Sequence, residues 1–257
     1  MKRYLVLALL LVALPAQAEG VLLASTTSLD NSGLLGHILP LFTRRTGIAV
    51  RVLAQGTGQA LATAARGDAD LALVHDPEAE DAFMHAGHGV RRVEIAWNDF
   101  LLVGPHGAPA RGTDAVAALR AIAAAGAPFV SRGDNSGTDA LEKRLWRAAG
   151  IAPAGRPWYK DIGGGMGAAL NAAAGLDAIT LTDRGTWLSF QNRRGLVELV
   201  QGDPVLLNRY RVIELSRGTP AAHALATWLA SAEAQAAIGG FTIGGQALFH
   251  PGVRDIP

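Results

Sequence analysis

Four short segments of the chain concentrate hydroxyl, glycine and arginine residues. They are residues 25–28 (STTS), 56–58 (GTG), 131–138 (SRGDNSGT) and 183–186 (DRGT). Hydroxyl and backbone N–H groups donate hydrogen bonds, glycine lets the backbone come close to a ligand, and arginine offers planar donors that match an oxyanion. These residue types therefore indicate a binding site for a small oxyanion.

Each of the four segments follows an apolar, strand-like run and precedes a helical pattern. After residues 25–28, for example, apolar residues recur at positions 35, 38, 39 and 42, which is helical spacing. The start of a helix leaves its first N–H groups unpaired and carries the positive end of the helix dipole, so it attracts anions. The segments thus add backbone donors to side-chain donors.

Helix capping is the competing explanation for any one of these segments. Ser, Thr, Asp and Gly are ordinary residues of N-caps and turns, and Ser136 with Asp139 matches a capping box. Capping alone explains one segment well. It explains four of them less well, because two also carry an arginine that a cap does not require.

The order of the predicted elements indicates an α/β protein of two lobes. Residues 21–74 follow a βαβαβ pattern, residues 95–103 form a longer strand, and residues 104–109 (GPHGAP) interrupt the chain before a second α/β region that ends in a long helix, 221–238. We expect each lobe to be a mostly parallel sheet flanked by helices. Loops at the carboxyl ends of the strands would then face each other across an interlobe cleft.

Composition and the N-terminus narrow the class of protein. The 257 residues are 49% hydrophobic, carry a formal charge of +1 and include no cysteine, which favours a large core without disulfides and excludes an acylated cysteine tether. A charge near zero provides no broad field for nucleic acid, so we expect no nucleic-acid partner. Lys2 and Arg3, an apolar run and AQA at 16–18 predict a signal peptide, residues 1–18, and a periplasmic protein.

In their shared order, the motifs of the chain resemble those of the tungstate-binding component of tungstate ABC importers. This family has the type II solute-binding-protein fold, and the resemblance covers nearly the whole mature chain. It rests on STTSLDNSGLL (25–35), TGIAVRV (46–52), GTGQAL (56–61), GDADLALVH (67–75), WNDFLLVGP (97–105), SRGDNSGT (131–138), GGGMGAALN (163–171) and LTDRGT (181–186). The family usually has threonine at the position of Ser25, and histidine is common at that of Asp139.

The resemblance implies a two-lobed periplasmic binding protein of type II with its ligand in the interlobe cleft. Lobe I comprises residues 19–103 and 207–257, and lobe II comprises residues 104–206. The implied ligand is tungstate or molybdate, and the implied partner is an ABC transporter permease in the inner membrane. We expect a monomer without cofactor, resident metal or catalytic residue. The implied oxyanion-binding residues are Thr26, Thr27, Ser28, Thr57, Gly58, Arg132, Ser136, Gly137, Thr138 and Arg184.

Individual charged residues have different expected roles. Arg132 is the main positive partner of the anion, and Asp134 orients an arginine rather than contacting a dianion. Arg184 either contacts the ligand or forms an ion pair with Asp183 or Asp134. A pocket made only of donors disfavours phosphate, which keeps a proton at neutral pH, unless Asp134 or Asp183 faces the ligand. A preference for tungstate over molybdate rests on the resemblance alone.

Two other functions stay open at this point, a periplasmic hydrolase of phosphate or sulfate esters and an oxyanion-sensing receptor lobe. A hydrolase needs an activated nucleophile or several metal ligands, and no serine of the four segments has a histidine partner in a matching motif. His75, His85 and His88 could suggest a metal site, but surface histidines explain the last two better. The glycine run at 163–167 lacks the spacing of a dinucleotide loop and is expected to form a turn and a helix start.

Overall fold

Strands and helices alternate along most of the chain in the computed structural model, which describes residues 20–256. The predicted signal peptide, residues 1–18, lies outside the described residues. The strands are β1 Val21–Thr26, β2 Val50–Gln55, β3 Leu71–Val74, β4 Gly89–Pro105, β5 Phe129–Ser131, β6 Tyr159–Asp161, β7 Ile179–Asp183, β8 Leu196–Val200, β9 Leu207–Leu215, β10 Thr242–Ile243, β11 Gln246–Ala247 and β12 His250–Ile256. The helices are α1 Thr27–Asn31, α2 Leu34–Thr46, α3 Thr57–Arg66, α4 Pro77–His85, α5 Ala115–Ala125, α6 Gly137–Ala148, α7 Met166–Leu176, α8 Arg184–Ser189, α9 Pro220–Leu229 and α10 Ala232–Gly239, with a 3₁₀ turn at Pro204–Leu206.

Two groups of strands, each with a parallel centre, form the sheet. The first group has the parallel order β2-β1-β3, to which β9, β4 and β12 add in antiparallel orientation. The second has the parallel order β6-β5-β7, and β4 runs antiparallel beside both β7 and β8. The sheet is therefore mixed with parallel centres and is flanked by helices, which confirms the predicted α/β class.

The long strand β4 passes from the first group of strands into the second. Its residues 89–99 pair with β9, whereas residues 100–105 pair with β7 and β8. Residues 100–103, which the sequence assigned to lobe I, therefore pair with the second group, and Phe100 and Leu102 join its apolar core. Asn98 and Asp99, the polar residues within the otherwise apolar run 95–103, lie at this crossing. The chain returns to the first group at Leu207, where β9 begins.

Helix α2 buries the face that its apolar spacing predicted. Leu35, Ile38 and Phe42 are buried and pack in one core with Leu23 of β1 and Leu71 of β3. Burial of such a side chain is worth about 1.5–3 kcal/mol. This packing fixes the helix and, with it, the loop at the carboxyl end of β1.

The predicted long helix at 221–238 is two helices. α9 ends at Leu229 and α10 begins at Ala232. Ser231 separates them because its Oγ accepts a hydrogen bond from the N–H of Ala234 at 3.3 Å and caps α10. The apolar spacing continues through this break, so periodicity alone predicted one helix.

Candidate functional site

All four donor segments lie where a strand ends and a helix begins. Thr26 is the last residue of β1, Ser131 of β5 and Asp183 of β7, while Gly56 separates β2 from α3. β1 and β2 are parallel, as are β5 and β7, so the two segments of each pair share one carboxyl edge. The structure thus confirms the predicted position of each segment.

Gly137 marks the place where the two groups of strands bring their loops together. A Cβ atom on Gly137 would lie 2.7 Å from His75 Cε1 and 3.2 Å from Thr57 Oγ1. Gly137 begins α6, His75 directly follows β3 and Thr57 begins α3. The start of α6 therefore lies against the carboxyl edge of the first group, and the missing side chain of glycine permits this approach. We call the contact between Gly137, His75 and Thr57 the interlobe contact.

Two buried hydroxyl groups, one at the end of β1 and one in α1, form a chain of polar contacts that ends at His75. Thr26 Oγ1 lies 3.2 Å from Ser28 Oγ, and Ser28 Oγ lies 3.2 Å from His75 Nε2. Thr26 Oγ1 also accepts a hydrogen bond from the N–H of Leu29 and caps α1. The structure therefore brings the predicted residues Thr26 and Ser28 together with His75.

Two buried polar atoms at the interlobe contact, Thr57 Oγ1 and His75 Nδ1, have no hydrogen-bond partner within residues 20–256. Buried polar groups in proteins are nearly always paired. These unpaired atoms are therefore available to a polar ligand.

Arg132 supplies a buried positive charge at the site, since its side chain is only 3% exposed. Its Nε and Nη2 both donate to Asp134 Oδ2, Nε at 3.1 Å, and its Nη1 donates to Thr138 Oγ1 at 3.3 Å. The charge of Arg132 also helps to lower the pKa of His75, so it acts at the interlobe contact. The site therefore combines one fixed guanidinium with neutral donors.

Asp134 holds this guanidinium in place. Its second oxygen, Oδ1, accepts a hydrogen bond from the N–H of Ser136 at 3.2 Å. Burial acts to raise the pKa of Asp134, but hydrogen bonds from Ser136 and Arg132 outweigh it and the pKa is lowered. Both carboxylate oxygens are thus engaged within the protein, in agreement with the predicted orienting role.

The start of α6 presents further donors between these residues. Ser136 Oγ accepts a hydrogen bond from the N–H of Asp139 at 3.3 Å, and Asp139 Oδ2 accepts one from the N–H of Asn135 at 3.1 Å. A capping box would direct the second bond to the N–H of Ser136, one residue later. The geometry of α6 leaves the N–H groups of Gly137 and Thr138 without an intrahelical acceptor. These two groups are available to an anion.

His75 contributes to the interlobe contact although no sequence motif assigned it a binding role. Its ring lies near those of Tyr210 and Phe100, with centroids 5.1 and 6.2 Å apart. Burial lowers the pKa of His75 to about 4, an effect that the nearby carboxylate of Asp76 offsets in part. The imidazole is therefore neutral at pH 7 and offers a hydrogen-bonding atom without charge. The sequence feature that could have indicated this role is the position of His75 directly after a buried strand.

Thr27 and Gly58 line the open cleft that leads to the interlobe contact. This cleft has a volume of about 690 Å³ and is bordered on its other side by Asp134 and by the first residues of α7. The glycine run at 163–167 thus provides a turn and the start of α7 beside the cleft, as expected. These two predicted residues lie at the entrance, whereas Thr57, Gly137 and their neighbours lie deeper.

Arg184 is held by carboxylates outside the interlobe contact. Its Nη2 donates to Asp99 Oδ2 at 2.7 Å and to Gln201 Oε1 at 2.9 Å, while Nη1 lies 3.5 Å from Glu198 Oε2. The structure therefore shows the ion-pair alternative, but with Asp99 and Glu198 instead of Asp183 or Asp134. Asp183 is occupied as the N-cap of α8, where it accepts hydrogen bonds from the N–H and Oγ1 of Thr186 at 2.8 and 2.7 Å.

His85 is exposed and His88 is half-buried. His85 ends α4, and the ring of His88 lies 5.2 Å from that of Phe83. Within residues 20–256, no group of three or more His, Cys, Asp or Glu side chains is arranged to hold a metal ion. No helix in the described part of the chain combines the length and hydropathy of a membrane span.

Known proteins share both the sequence and the fold of this chain. A family model described as "PBP superfamily domain" matches residues 13–233. "Tungstate-binding protein TupA" of Peptoclostridium acidaminophilum is 43% identical over 235 residues, which cover 87% of this chain and 82% of that protein. A "Putative ABC transporter anion-binding protein" of Haloferax volcanii is 43% identical over 243 residues, covering 89% and 71%. The structure of "Tungstate binding protein - TupA - from Desulfovibrio alaskensis G20" matches with a TM-score of 0.82 at 41% identity, covering 92% of this chain and 100% of that chain.

Proposed function

This chain belongs to the PBP superfamily, and we propose that it is the substrate-binding component of an ABC importer that captures tungstate and delivers it to a membrane permease. The observation that carries the proposal is the interlobe contact. There the start of α6 lies against Thr57 and His75, each of which has a buried polar atom without a partner within residues 20–256, and the buried guanidinium of Arg132 lies nearby. The close relatives that are named as tungstate-binding or anion-binding proteins support the same ligand class.

The charges around the interlobe contact suit a dianion. Arg132 carries a full positive charge that Asp134 neutralises only from one side, and the dipole of α6 adds roughly half a positive charge at its start. Ser28, Thr57 and Thr138 add neutral hydroxyl donors. A dianion placed among these groups would receive charge-assisted hydrogen bonds that are short and strong.

The site offers few acceptors to a protonated anion. All four carboxylate oxygens of Asp134 and Asp183 accept hydrogen bonds from the protein itself. When Nε2 of His75 accepts a hydrogen bond from Ser28 Oγ, the ring proton is on Nδ1. His75 then offers the anion an N–H donor and no acceptor. At the start of α6, Asp139 Oδ1 is the one buried carboxylate oxygen without a partner within residues 20–256, so few acceptors are left for the proton of hydrogen phosphate, which costs affinity. We therefore propose that tungstate, molybdate and sulfate bind better than phosphate.

Calorimetric titration of the mature protein tests this proposal. The titrants are sodium tungstate, molybdate, sulfate and phosphate at pH 7.5, and tungstate is expected to give the tightest saturable binding with one site per chain. Failure of all four anions to produce heat or a thermal shift would refute the binding function. Phosphate bound as tightly as tungstate would refute the donor-only account of the site.

The alternatives lead to different outcomes in simple assays. An ester hydrolase would turn over p-nitrophenyl phosphate or sulfate, whereas we expect no turnover from a binding component. A sensor lobe would be recovered with a receptor instead of a permease when the periplasmic protein is captured from cells with its ligand bound. We further propose that the exported protein is a monomer, which light scattering of the mature chain would test.

A further inference from the structure

One ion pair joins the two sides of the site away from the ligand space. Arg144 Nη1 lies 3.0 Å from Asp76 Oδ1, and the two side chains are 23% and 9% exposed. Arg144 belongs to α6 of the second lobe, and Asp76 lies between β3 and α4 of the first. Glu78 of α4 adds a second carboxylate 3.7 Å from Arg144 Nε. We call Asp76 and Arg144 the closure pair.

Asp76 forms this pair instead of capping its own helix. It occupies the N-cap position of α4, yet its side chain accepts no hydrogen bond from the N–H groups of that helix. Aspartate at an N-cap normally makes such a bond, which contributes about 1 kcal/mol. By contrast, the N-cap residues Asp114 and Asp183 both cap their helices. The carboxylate of Asp76 is therefore directed across to the other lobe.

The closure pair lies on the same two elements as the interlobe contact. Asp76 directly follows His75, and Arg144 lies seven residues after Gly137, two turns along α6. His75 and Gly137 touch each other at the ligand space. Any movement that separates the start of α6 from the end of β3, and so opens the site, must also separate Arg144 from Asp76.

We infer that Asp76 and Arg144 are positioning residues that hold the two lobes closed over the bound oxyanion and so set its rate of release. The inference rests on the proposed function, and neither residue needs to touch the ligand. Because the pair forms only once the lobes have closed, breaking it accelerates opening and leaves the encounter of anion and open site almost unchanged. Release should therefore respond much more strongly than association.

The test measures the release of radiolabelled tungstate from loaded protein during a chase with excess unlabelled tungstate. Asp76→Asn keeps the shape of the side chain and its ability to cap, and Arg144→Gln removes the charge. We expect each variant to release tungstate about tenfold faster than the wild type, with an association rate within about twofold. The double variant should release no faster than either single variant, because both substitutions remove the same interaction. Arg144→Lys, which keeps the charge but not the planar donors, should lie between.

Arg147→Gln is the matched control for Arg144→Gln, since Arg147 is an exposed arginine on the same helix and both substitutions lower the net charge by one. Melting of the ligand-free variants checks that each one folds. Release from Asp76→Asn and Arg144→Gln at the rate of Arg147→Gln would overturn the closure role while leaving the binding function intact. Additive effects in the double variant would also overturn it. Wild-type protein that retains no tungstate would instead refute the proposed function itself.

Discussion

The loops at 131–138 and 183–186 have similar compositions but give their arginines opposite surroundings. Arg132 is 3% exposed and pairs with one carboxylate, that of Asp134. Arg184 is 20% exposed and lies between two carboxylates, those of Asp99 and Glu198. Arg132 is therefore held by one carboxylate and lies next to unpaired polar atoms, while Arg184 is shared between two carboxylates.

This difference shows that an arginine in an oxyanion-type loop becomes a ligand contact only if the protein leaves its charge available. Both loops end a strand, begin a helix and contain an aspartate close to the arginine. In the loop at 131–138, Asp134 orients the guanidinium of Arg132. In the loop at 183–186, Asp183 caps α8, and Arg184 pairs instead with carboxylates that are distant in sequence. The surrounding carboxylates, more than the motif, thus decide the role of each arginine.

Replacing the two arginines in turn gives the largest expected effect. Arg132→Ala should weaken tungstate binding by about 3 kcal/mol or more, roughly 100-fold, because it removes a buried charge that faces the anion. Arg184→Ala should change affinity by less than about threefold and lower the free energy of unfolding by about 1–2 kcal/mol, because two carboxylates lose their partner. Titration calorimetry and urea unfolding measure the two quantities. Equal losses of affinity in both variants would show that Arg184 contacts the anion as Arg132 does.

Protonation of Glu142, in the helix that follows the loop at 131–138, should make the free energy of unfolding depend on pH. Glu142 of α6 accepts hydrogen bonds from Tyr159 Oη at 2.7 Å and from Trp146 Nε1 at 3.1 Å, and burial raises its pKa to about 7. The folded state therefore holds this proton more tightly than the unfolded state. The resulting stability is present below about pH 4.5 and is lost as pH rises through about 7, a change of about 3 kcal/mol.

Glu142→Gln isolates this contribution. The difference in unfolding free energy between wild type and variant should shift against the wild type as pH rises from 5 to 8. Taking the difference cancels other groups, such as His75, whose lowered pKa makes stability fall as pH drops from 6.5 towards 4. A difference that stays constant across this range would show that Glu142 is ionised at all these pH values.

A methyl group added at Gly137 should show whether tungstate binds at the interlobe contact or in the open cleft. In Gly137→Ala the new Cβ would meet the ring of His75 at 2.7 Å, so the lobes cannot close fully and affinity should fall about tenfold, or roughly 1.4 kcal/mol. Gly167→Ala is the matched control on α7, since nothing lies within 4 Å of its Cβ position. Titration of both variants with tungstate checks this, and a loss of affinity in Gly167→Ala alone would place the ligand in the outer cleft.

Two serine caps provide the smallest expected effect. Ser136→Ala and Ser231→Ala each remove a hydroxyl that accepts a hydrogen bond from a helix N–H at 3.3 Å, in α6 and α10 respectively. Each should lower the free energy of unfolding by about 1 kcal/mol. Only Ser136→Ala should also weaken tungstate binding, because its hydroxyl lies in the first loop. Unchanged affinity in Ser136→Ala would show that Ser136 caps α6 and does not contribute to tungstate binding.

Local patterns were sufficient to predict much of this arrangement. The positions of the four segments follow from strand and helix periodicity, and the pairing of Arg132 with Asp134 joins residues two apart in sequence. Arg184 could not be assigned in this way, because its partner Asp99 lies 85 residues away. The contact between His75 and Gly137 depends on how the lobes pack together, which no local pattern records.

Anomalous diffraction at a tungsten absorption edge, from crystals of the mature protein grown with tungstate, locates the bound anion directly. We expect one strong tungsten peak between the start of α6 and the loops of the first lobe, with the oxygens of that tungstate within hydrogen-bonding distance of Arg132, Thr57 and His75. A peak beside Arg184, in the outer cleft or on the surface would contradict it.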